Sequence, residues 1–542
     1  MKKLISCLLL SALMLMGCNN SPSSFSDEIS DSAQTEIDLL PENIIDDNYR
    51  NFYQIFVSSY YDSNGDKIGD LKGIDSKLNY IRDLGYTGIW LSPIFDSGTY
   101  HGYDTIDYLT IDEDLGTMDD LKKLVSDAHN LGIKIILDGV FNHTSYSCSW
   151  FKNALLAHQK KIRQEEITEE EKHYSNLYVF YDSLEEVKNA KVYKYAKAGG
   201  NDFYYECNFD TNMPELNFDE EMTYQKIQEV IEYYMNEADI DGFRLDATTY
   251  YYLDNADKNV EVLNRITKMV KDCKPNGYVV GECFKDQATI ASYYRSNADS
   301  FFYFPGSSAY PDSFLLTSIN DFKKNYLKGL NTLIETANGK IPAPFLDNHD
   351  MGRITKSKNI YETKIQLGVL GMLNGSTFNY YGDEIGMSSS ENSSGGDANY
   401  RTHYFWDDET HTGECKNPAG STAQIECYPD SKTQLKDPRS ILNYVKKVNN
   451  LRNAFPAISR GTLVLNTQDS QVNASSSSLL SFTKTYNQET ITIVINFSPT
   501  DSYEYDLSAK QVKTVLKVND ENQETEKENT LTLPSYGIAI LA

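Results

Sequence analysis

The chain is short of positive charge, of cysteine or histidine in metal-binding spacing, and of apolar runs long enough to cross a bilayer. Each shortage closes off a class of function. Lys and Arg number 50 against 78 Asp and Glu, a formal net charge of −28. Nucleic-acid phosphates would be repelled, and a neutral or cationic partner is favoured. The eight cysteines and eight histidines include no CxxC pair and no His-rich spacing, which argues against zinc. The apolar run from Leu4 to Met16 is too short to persist as a spanning helix. No internal repeat is visible, so a solenoid is not expected. What remains is 40% apolar and 24% charged, the balance of a globular protein. A prior of ~150 residues per domain suggests about three domains in 542 residues. The 40 Tyr offer aromatic faces that suit sugar rings, although Tyr is also a common strand residue.

Residues 1–18 are read as a targeting segment outside the fold. Lys2-Lys3 precede the apolar run, which stops at Leu15-Met16-Gly17-Cys18. That ending resembles a bacterial lipoprotein signal, which implies cleavage that leaves Cys18 as the lipid-bearing first residue; an ordinary secretory signal is the alternative. Residues 19–48, rich in Ser, Asp, Asn and Glu, read as a flexible tether. The expectation is an exported monomer, lipid-anchored at the outer face of a bacterial membrane. Export permits disulfides, and Cys415 with Cys427 would close a short loop, but free thiols fit equally.

From about residue 51 strand-like runs alternate with amphipathic helical stretches, the pattern of parallel strands joined by crossover helices. Strands are expected at Phe52–Ser58, Gly88–Ile94, Lys134–Phe141, Gly242–Asp246, Tyr278–Cys283, Phe301–Phe304, Pro344–Asn348 and Thr377–Tyr381. Eight is the number that closes a parallel (β/α)8 TIM barrel. Helices are expected at Leu71–Leu84, Met118–Asn130, Glu220–Glu237 and Ile441–Asn453. The barrel is assigned to 49–142 and 218–456, interrupted by a polar, Tyr-rich inserted domain at 143–217. From 457 to 542 short alternating strands predict a small antiparallel β-sandwich.

Chemistry concentrates at strand ends, where such barrels carry their active sites. Gly242-Phe243-Arg244-Leu245-Asp246-Ala247 delivers Arg244 and Asp246 on one face of a strand, so the guanidinium can keep the carboxylate ionised, as a nucleophile for sugar chemistry requires. Read alone, the pair also fits a buried structural ion pair. The third strand ends in Asp138-Gly139-Val140-Phe141-Asn142-His143, the fifth in Gly281-Glu282-Cys283-Phe284, and the seventh in Leu346-Asp347-Asn348-His349-Asp350. Tyr100-His101-Gly102-Tyr103-Asp104 follows the second.

These stretches, in this order and spacing, resemble the α-amylase family of retaining glycoside hydrolases (family 13), in particular bacterial cell-surface lipoprotein α-amylases and neopullulanases. The resemblance implies that Asp246 is the nucleophile, Glu282 the general acid/base and Asp350 a third carboxylate that binds sugar hydroxyls. It implies hydrogen bonds from His143 and His349, stacking by Tyr103, and a sugar-side contact by Arg353. Retention needs an ionised and a protonated carboxyl ~5–5.5 Å apart. Arg244 is expected to keep Asp246 charged while neighbouring carboxylates push the Glu282 pKa upward.

Asp62-Ser63-Asn64-Gly65-Asp66-Lys67-Ile68-Gly69-Asp70 places oxygen side chains at alternate positions of a tight loop, the array calcium prefers. It is similar to the calcium loop after the first barrel strand of relatives. That likeness implies Ca2+ held by the side chains of Asp62, Asn64, Asp66 and Asp70 and the carbonyl of Ile68. Thr249-Tyr250 stands where the family carries a Lys-His pair, so the resemblance leaves a second calcium open. Ala247 resembles the α-1,4-acting members. Met213-Pro214-Glu215-Leu216-Asn217 is similar to a neopullulanase motif, and Tyr400-Arg401-Thr402 with Trp406 to α-glucosidases. The expected substrate is an α-glucan cut by an endo-acting α-amylase. The alternatives are a neopullulanase, α-glucosidase or transglycosylase on the same scaffold, or a non-catalytic glycan-binding lipoprotein.

Overall fold

The computed structural model describes residue 37 and residues 40–542, apart from 196–201, 310–318, 320–321, 338, 356–358, 389–394, 424–427, 467–477, 520–523 and 528. Cys18, nearly all of the signal and tether up to residue 39, and Cys427 lie outside the described residues. Among them no helix is long and apolar enough to cross a membrane, and Cys415 is a free thiol.

Seven parallel strands form one curled sheet. In spatial order they are Ser300–Phe301, Tyr278–Gly281, Gly242–Leu245, Lys134–Gly139, Gly88–Leu91, Asn51–Ile55 and Thr377–Tyr380. The seventh barrel position is filled by residues 343–345, which make only the isolated parallel bridges Phe302↔Ala343 and Phe345↔Phe378. Those two bridges join the first and last strands of the sheet and complete the (β/α)8 ring. Apolar strands buried on both faces are what an all-parallel sheet demands. Asn51–Ile55, Gly88–Leu91, Gly242–Leu245 and Thr377–Tyr380 are buried at every position. Gly242 cannot be replaced here. Its φ is +146°, and a Cβ would lie 1.9 Å from the Tyr278 carbonyl oxygen, so only glycine lets the fourth strand enter the sheet.

Two features depart from the expected pattern. The helix read at Leu71–Leu84 is two helices, Leu71–Ser76 and Leu78–Asp83. Lys77, between them, leaves helical geometry (φ −106°, ψ 4°) and lays its ammonium over the rings of Tyr61 and Trp406, 4.2 and 4.5 Å away. The segment after the second strand is not a plain loop. It forms an antiparallel hairpin, Phe95–Ser97 with Thr105–Ile111, and Tyr100–Asp104 sit in its connection.

The insertion carries the helices Ser149–Ile162 and Glu169–Asn176 and a three-stranded sheet of Phe180–Tyr181, Phe203–Glu206 and Val192–Tyr195. A bridge between His143 and Glu215 ties its two ends together. At the carboxyl end a five-stranded and a three-stranded antiparallel sheet enclose a core that includes Val494, Leu531, Leu533 and Leu541.

Candidate active site

Arg244 is the hub. Its strand pairs with the third so that Asp138 lies directly opposite, and the guanidinium, 1% exposed, meets three carboxylates. Its Nη1 donates to Asp138 Oδ1 at 2.8 Å and to Asp246 Oδ1 at 2.6 Å, and its Nη2 lies 3.0 Å from Glu282 Oε2. One planar guanidinium holding an oxygen of each keeps those two oxygens of Asp246 and Glu282 at most about 8 Å apart, a limit that admits the ~5–5.5 Å of a retaining pair. The fourth strand then turns sharply. Ala247 takes φ +49°, uncommon for a residue with a Cβ, and its N–H donates to Glu282 Oε2 at 2.9 Å. The turn that presents Asp246 therefore also fixes Glu282.

Burial is the main influence on these groups. It outweighs Arg244 and raises Asp246 to about 6, against the expectation that the arginine alone would keep its pKa low. Asp138 is raised to about 6 for the same reason. Glu282, buried and facing Asp246 and Asp350, goes further, to about 7. One guanidinium cannot neutralise three buried carboxylates, so the cluster holds a proton most readily on Glu282, with apparent values that belong to the group.

Asp350 behaves in the opposite way. Burial would raise its carboxyl, but the Arg401 and Arg244 guanidinium groups, joined by His349 only when its ring is protonated, hold it below the usual range. Arg401 Nη2 pairs with Asp350 Oδ1 at 2.7 Å, and its Nε donates to the His349 carbonyl at 2.9 Å. Burial pushes His349 down to about 3 and His143 down to about 4, so both rings are neutral at working pH. Gln54 Nε2 sits 2.7 Å from His349 Nδ1, which leaves the ring proton on Nε2, 2.5 Å from the Tyr103 hydroxyl. That hydroxyl donates to Asp138 Oδ2 at 3.0 Å. The Tyr103 ring lies parallel to His349, with centroids 5.4 Å apart, and the Tyr103 carbonyl meets His143 Nε2 at 2.9 Å.

Asp246, Glu282, Asp350, Arg244, Tyr103, His143 and His349 are thus linked through one network. Arg353 is a correction. It is 1% exposed, donates to the Tyr381 carbonyl and to Asp383, and spreads over the Tyr380 and Tyr381 rings at 4.4 and 5.0 Å. The guanidinium beside Asp350 belongs to Arg401. Sequence reading also left out Asp138 and Gln54. Asp138 could have been found, since it opens the same strand-end motif as His143.

The loop after the first strand has turned its oxygens inward. Asp62 accepts from the amides of Asn64, Gly65 and Lys67, and Asp66 from Ile68. Asp70 accepts from the Ser63 amide and hydroxyl and the Gly73 amide. Lys67 takes φ +74°, uncommon for a residue with a Cβ. The donors are hard oxygens, as calcium requires. Among the described residues, however, no three His, Cys, Asp or Glu side chains converge closely enough to hold a metal ion.

A parallel barrel that brings three acidic side chains around one buried arginine at the carboxyl ends of its strands has the groups that glycoside chemistry uses. The family model of the α-amylase catalytic domain matches residues 54–461, and that of the maltogenic amylase C-terminal domain residues 470–540. The chain belongs to the α-amylase family, glycoside hydrolase family 13. It is 31% identical over 516 residues to α-amylase 3 of Dictyoglomus thermophilum, covering 91% of this chain and 93% of that protein. It is 27% identical to the 4-α-glucanotransferase of Thermotoga neapolitana, over 62% of this chain and 71% of that one. With the oligo-1,6-glucosidase of Parageobacillus thermoglucosidasius it shares 26%, over 82% and 89%. The solved structure of Eubacterium rectale Amy13B superposes with a TM-score of 0.84 at 32% identity, covering 93% of this chain and 97% of that one.

Proposed function

We propose that the protein is a retaining, endo-acting α-amylase that hydrolyses α-1,4-glucosidic bonds in starch or maltodextrins. The observation that carries this reading is the single guanidinium shared by Asp246 and Glu282, with Glu282 the more proton-retentive of the two. In the first half-reaction Asp246 attacks the anomeric carbon and Glu282 gives its proton to the departing oxygen. In the second, Glu282 takes a proton from water, whose oxygen displaces Asp246. Asp350, His143, His349 and Tyr103 hold the sugar unit at the cleavage point. The Glu282→Gln variant is expected to lose turnover at least 10³-fold while still binding oligosaccharide, and the first product seen by NMR is the α-anomer. A β-anomer excludes double displacement.

The relatives named for glucanotransferase and 1,6-glucosidase activity favour a second reading, an exo-acting α-glucosidase or transglycosylase. Products from amylose, pullulan and panose separate the two, because endo-cleavage lowers amylose viscosity before glucose accumulates. A purely glycan-binding role has no use for a proton-sharing carboxylate cluster. Calcium in the Asp62–Asp70 loop, lipidation at Cys18 and a place at the outer face of a membrane belong to the same proposal. The oxygen-rich loop supports the first, and the Leu15–Cys18 ending the other two. Incorporation of labelled palmitate into the full chain, abolished by Cys18→Ala, tests the anchor.

A further inference from the structure

The loop that carries His349 and Asp350 is closed at its base by Asp347. This residue lies just past the seventh barrel position and accepts from the Ile354 amide through Oδ2 at 2.6 Å, so residues 348–353 run between two fixed points. Inside the loop the Asp350 amide donates to Asn348 Oδ1 at 2.8 Å. The other Asp347 oxygen, Oδ1, is buried and receives no hydrogen bond from an N–H or O–H among the described residues. The group within hydrogen-bonding reach of this side chain is a second carboxyl, that of Asp383. A turn at Gly382 (φ +91°) brings Asp383 back from the end of the eighth strand, where its Oδ1 accepts from Arg353 Nη1 at 3.2 Å. Both acids are 2% exposed.

Two carboxylates cannot bond to each other, because each only accepts; one proton between them supplies the missing donor. Charge leads to the same count. Arg353 is the cation beside the pair. The other titratable groups around it are Glu384, which adds negative potential, and the Tyr380 and Tyr381 phenols, which burial keeps neutral. Two buried anions against one cation leave an uncompensated charge, which the interior disfavours. One shared proton brings Arg353, Asp347 and Asp383 to zero together. Burial raises both carboxyls, and the neighbouring Asp347 charge raises Asp383 further.

We propose that Asp347 and Asp383 share one proton and, with Arg353, form a neutral latch that positions the 348–353 loop, and with it His349 and Asp350. The two acids are positioning residues that act through Asp350. Their effect on turnover rests on the proposed α-1,4 activity; the shared proton does not.

Asp383→Asn replaces the protonated acid by an amide of the same shape, which donates to Asp347 and accepts from Arg353 at every pH. Urea unfolding of the full chain at pH 5, 6, 7 and 8 compares it with the wild type. Unfolded Asp383 is ionised across this range while the folded pair keeps its proton, so the wild type takes up a proton on folding that the variant does not. The folding constant of the variant relative to the wild type should therefore rise about tenfold per pH unit. Asp347→Asn, which also leaves one anion for Arg353, should show the same slope. A ratio that stays constant with pH in either variant means two ionised carboxylates and overturns the shared proton. Kinetics on maltopentaose, per mole of folded enzyme, read the latch. Asp347→Ala removes the acceptor of the Ile354 amide and should lower kcat at least tenfold with KM within threefold, because Asp350 is displaced while the other sugar contacts remain. Asp347→Asn, whose oxygen accepts from that amide, should restore kcat to within threefold of the wild type. Wild-type kcat in Asp347→Ala, or no recovery in Asp347→Asn, overturns the positioning role. A wild type that cleaves no α-1,4 bond overturns the underlying activity instead, and the unfolding comparison still decides the shared proton.

Discussion

Arg244 and Arg401 divide the work at the residue scale, one gathering the carboxylates that exchange protons and the other keeping Asp350 ionised. Activity that requires ionised Asp246 and protonated Glu282 should follow a narrow bell with its maximum between the apparent values of about 6 and about 7. Rates measured from pH 4 to 9 check this. Arg401→Ala should lower kcat/KM at least tenfold, about 1.4 kcal/mol. It should also move the acid limb upward, because Asp350 loses the charge that holds its proton affinity down. A stability effect runs alongside. The pKa of Glu282 is raised on folding, from 4.5 to about 7, so the folded state binds more protons across that window, and stability falls as pH rises through it. Glu282→Gln escapes that loss. Its melting temperature should match or exceed the wild type's at pH 5 and rise further above it at pH 8, by about 1–3 kcal/mol in stability. Asp246, Glu282 and Asp350 were legible in the sequence because each stands at a strand end, whereas Asp138 was passed over as part of the motif that leads to His143. Arg401 was not legible, because its partnership with Asp350 spans 51 positions and depends on how the loop after the last strand folds back.

Elements were read best where periodicity is strong. Met118–Asn130 was placed to the residue, with Thr117 and Asp120 forming the capping box that starts it. The barrel's seventh strand was harder, since residues 343–345 make isolated bridges instead of a ladder, and a burial pattern alone does not say whether pairing follows. The hairpin that presents Tyr103 was missed because its first strand has only three residues and its register shifts twice. The Asp62–Asp70 loop gives a prediction at this scale. If calcium draws its inward-turned oxygens onto one centre, a chelator should lower the melting temperature by several degrees and added calcium restore it. No change on chelation means that the amide bonds to Asp62 and Asp70 hold the loop unaided.

Across the whole molecule, barrel and terminal sandwich are joined by buried lysines reaching in both directions. Lys364 of the barrel donates to the Val518 carbonyl at 2.9 Å, and Lys484 of the sandwich, 0% exposed, donates to the carbonyls of Met372 at 2.7 Å and Ile458. Lys484→Met strands those carbonyls without a donor. The expected loss is about 2–4 kcal/mol, with the two parts still unfolding in one calorimetric transition. Two resolved transitions would show that the domains are not coupled. The shared arginine has a consequence for the interior as a whole. When Asp246 becomes an ester it surrenders its negative charge, and in the same event Glu282 acquires one. The anion thus passes from one prong of the Arg244 fork to the other, and the sealed heart of the barrel never changes its electrical total, so neither half of the catalytic cycle has to import a counterion.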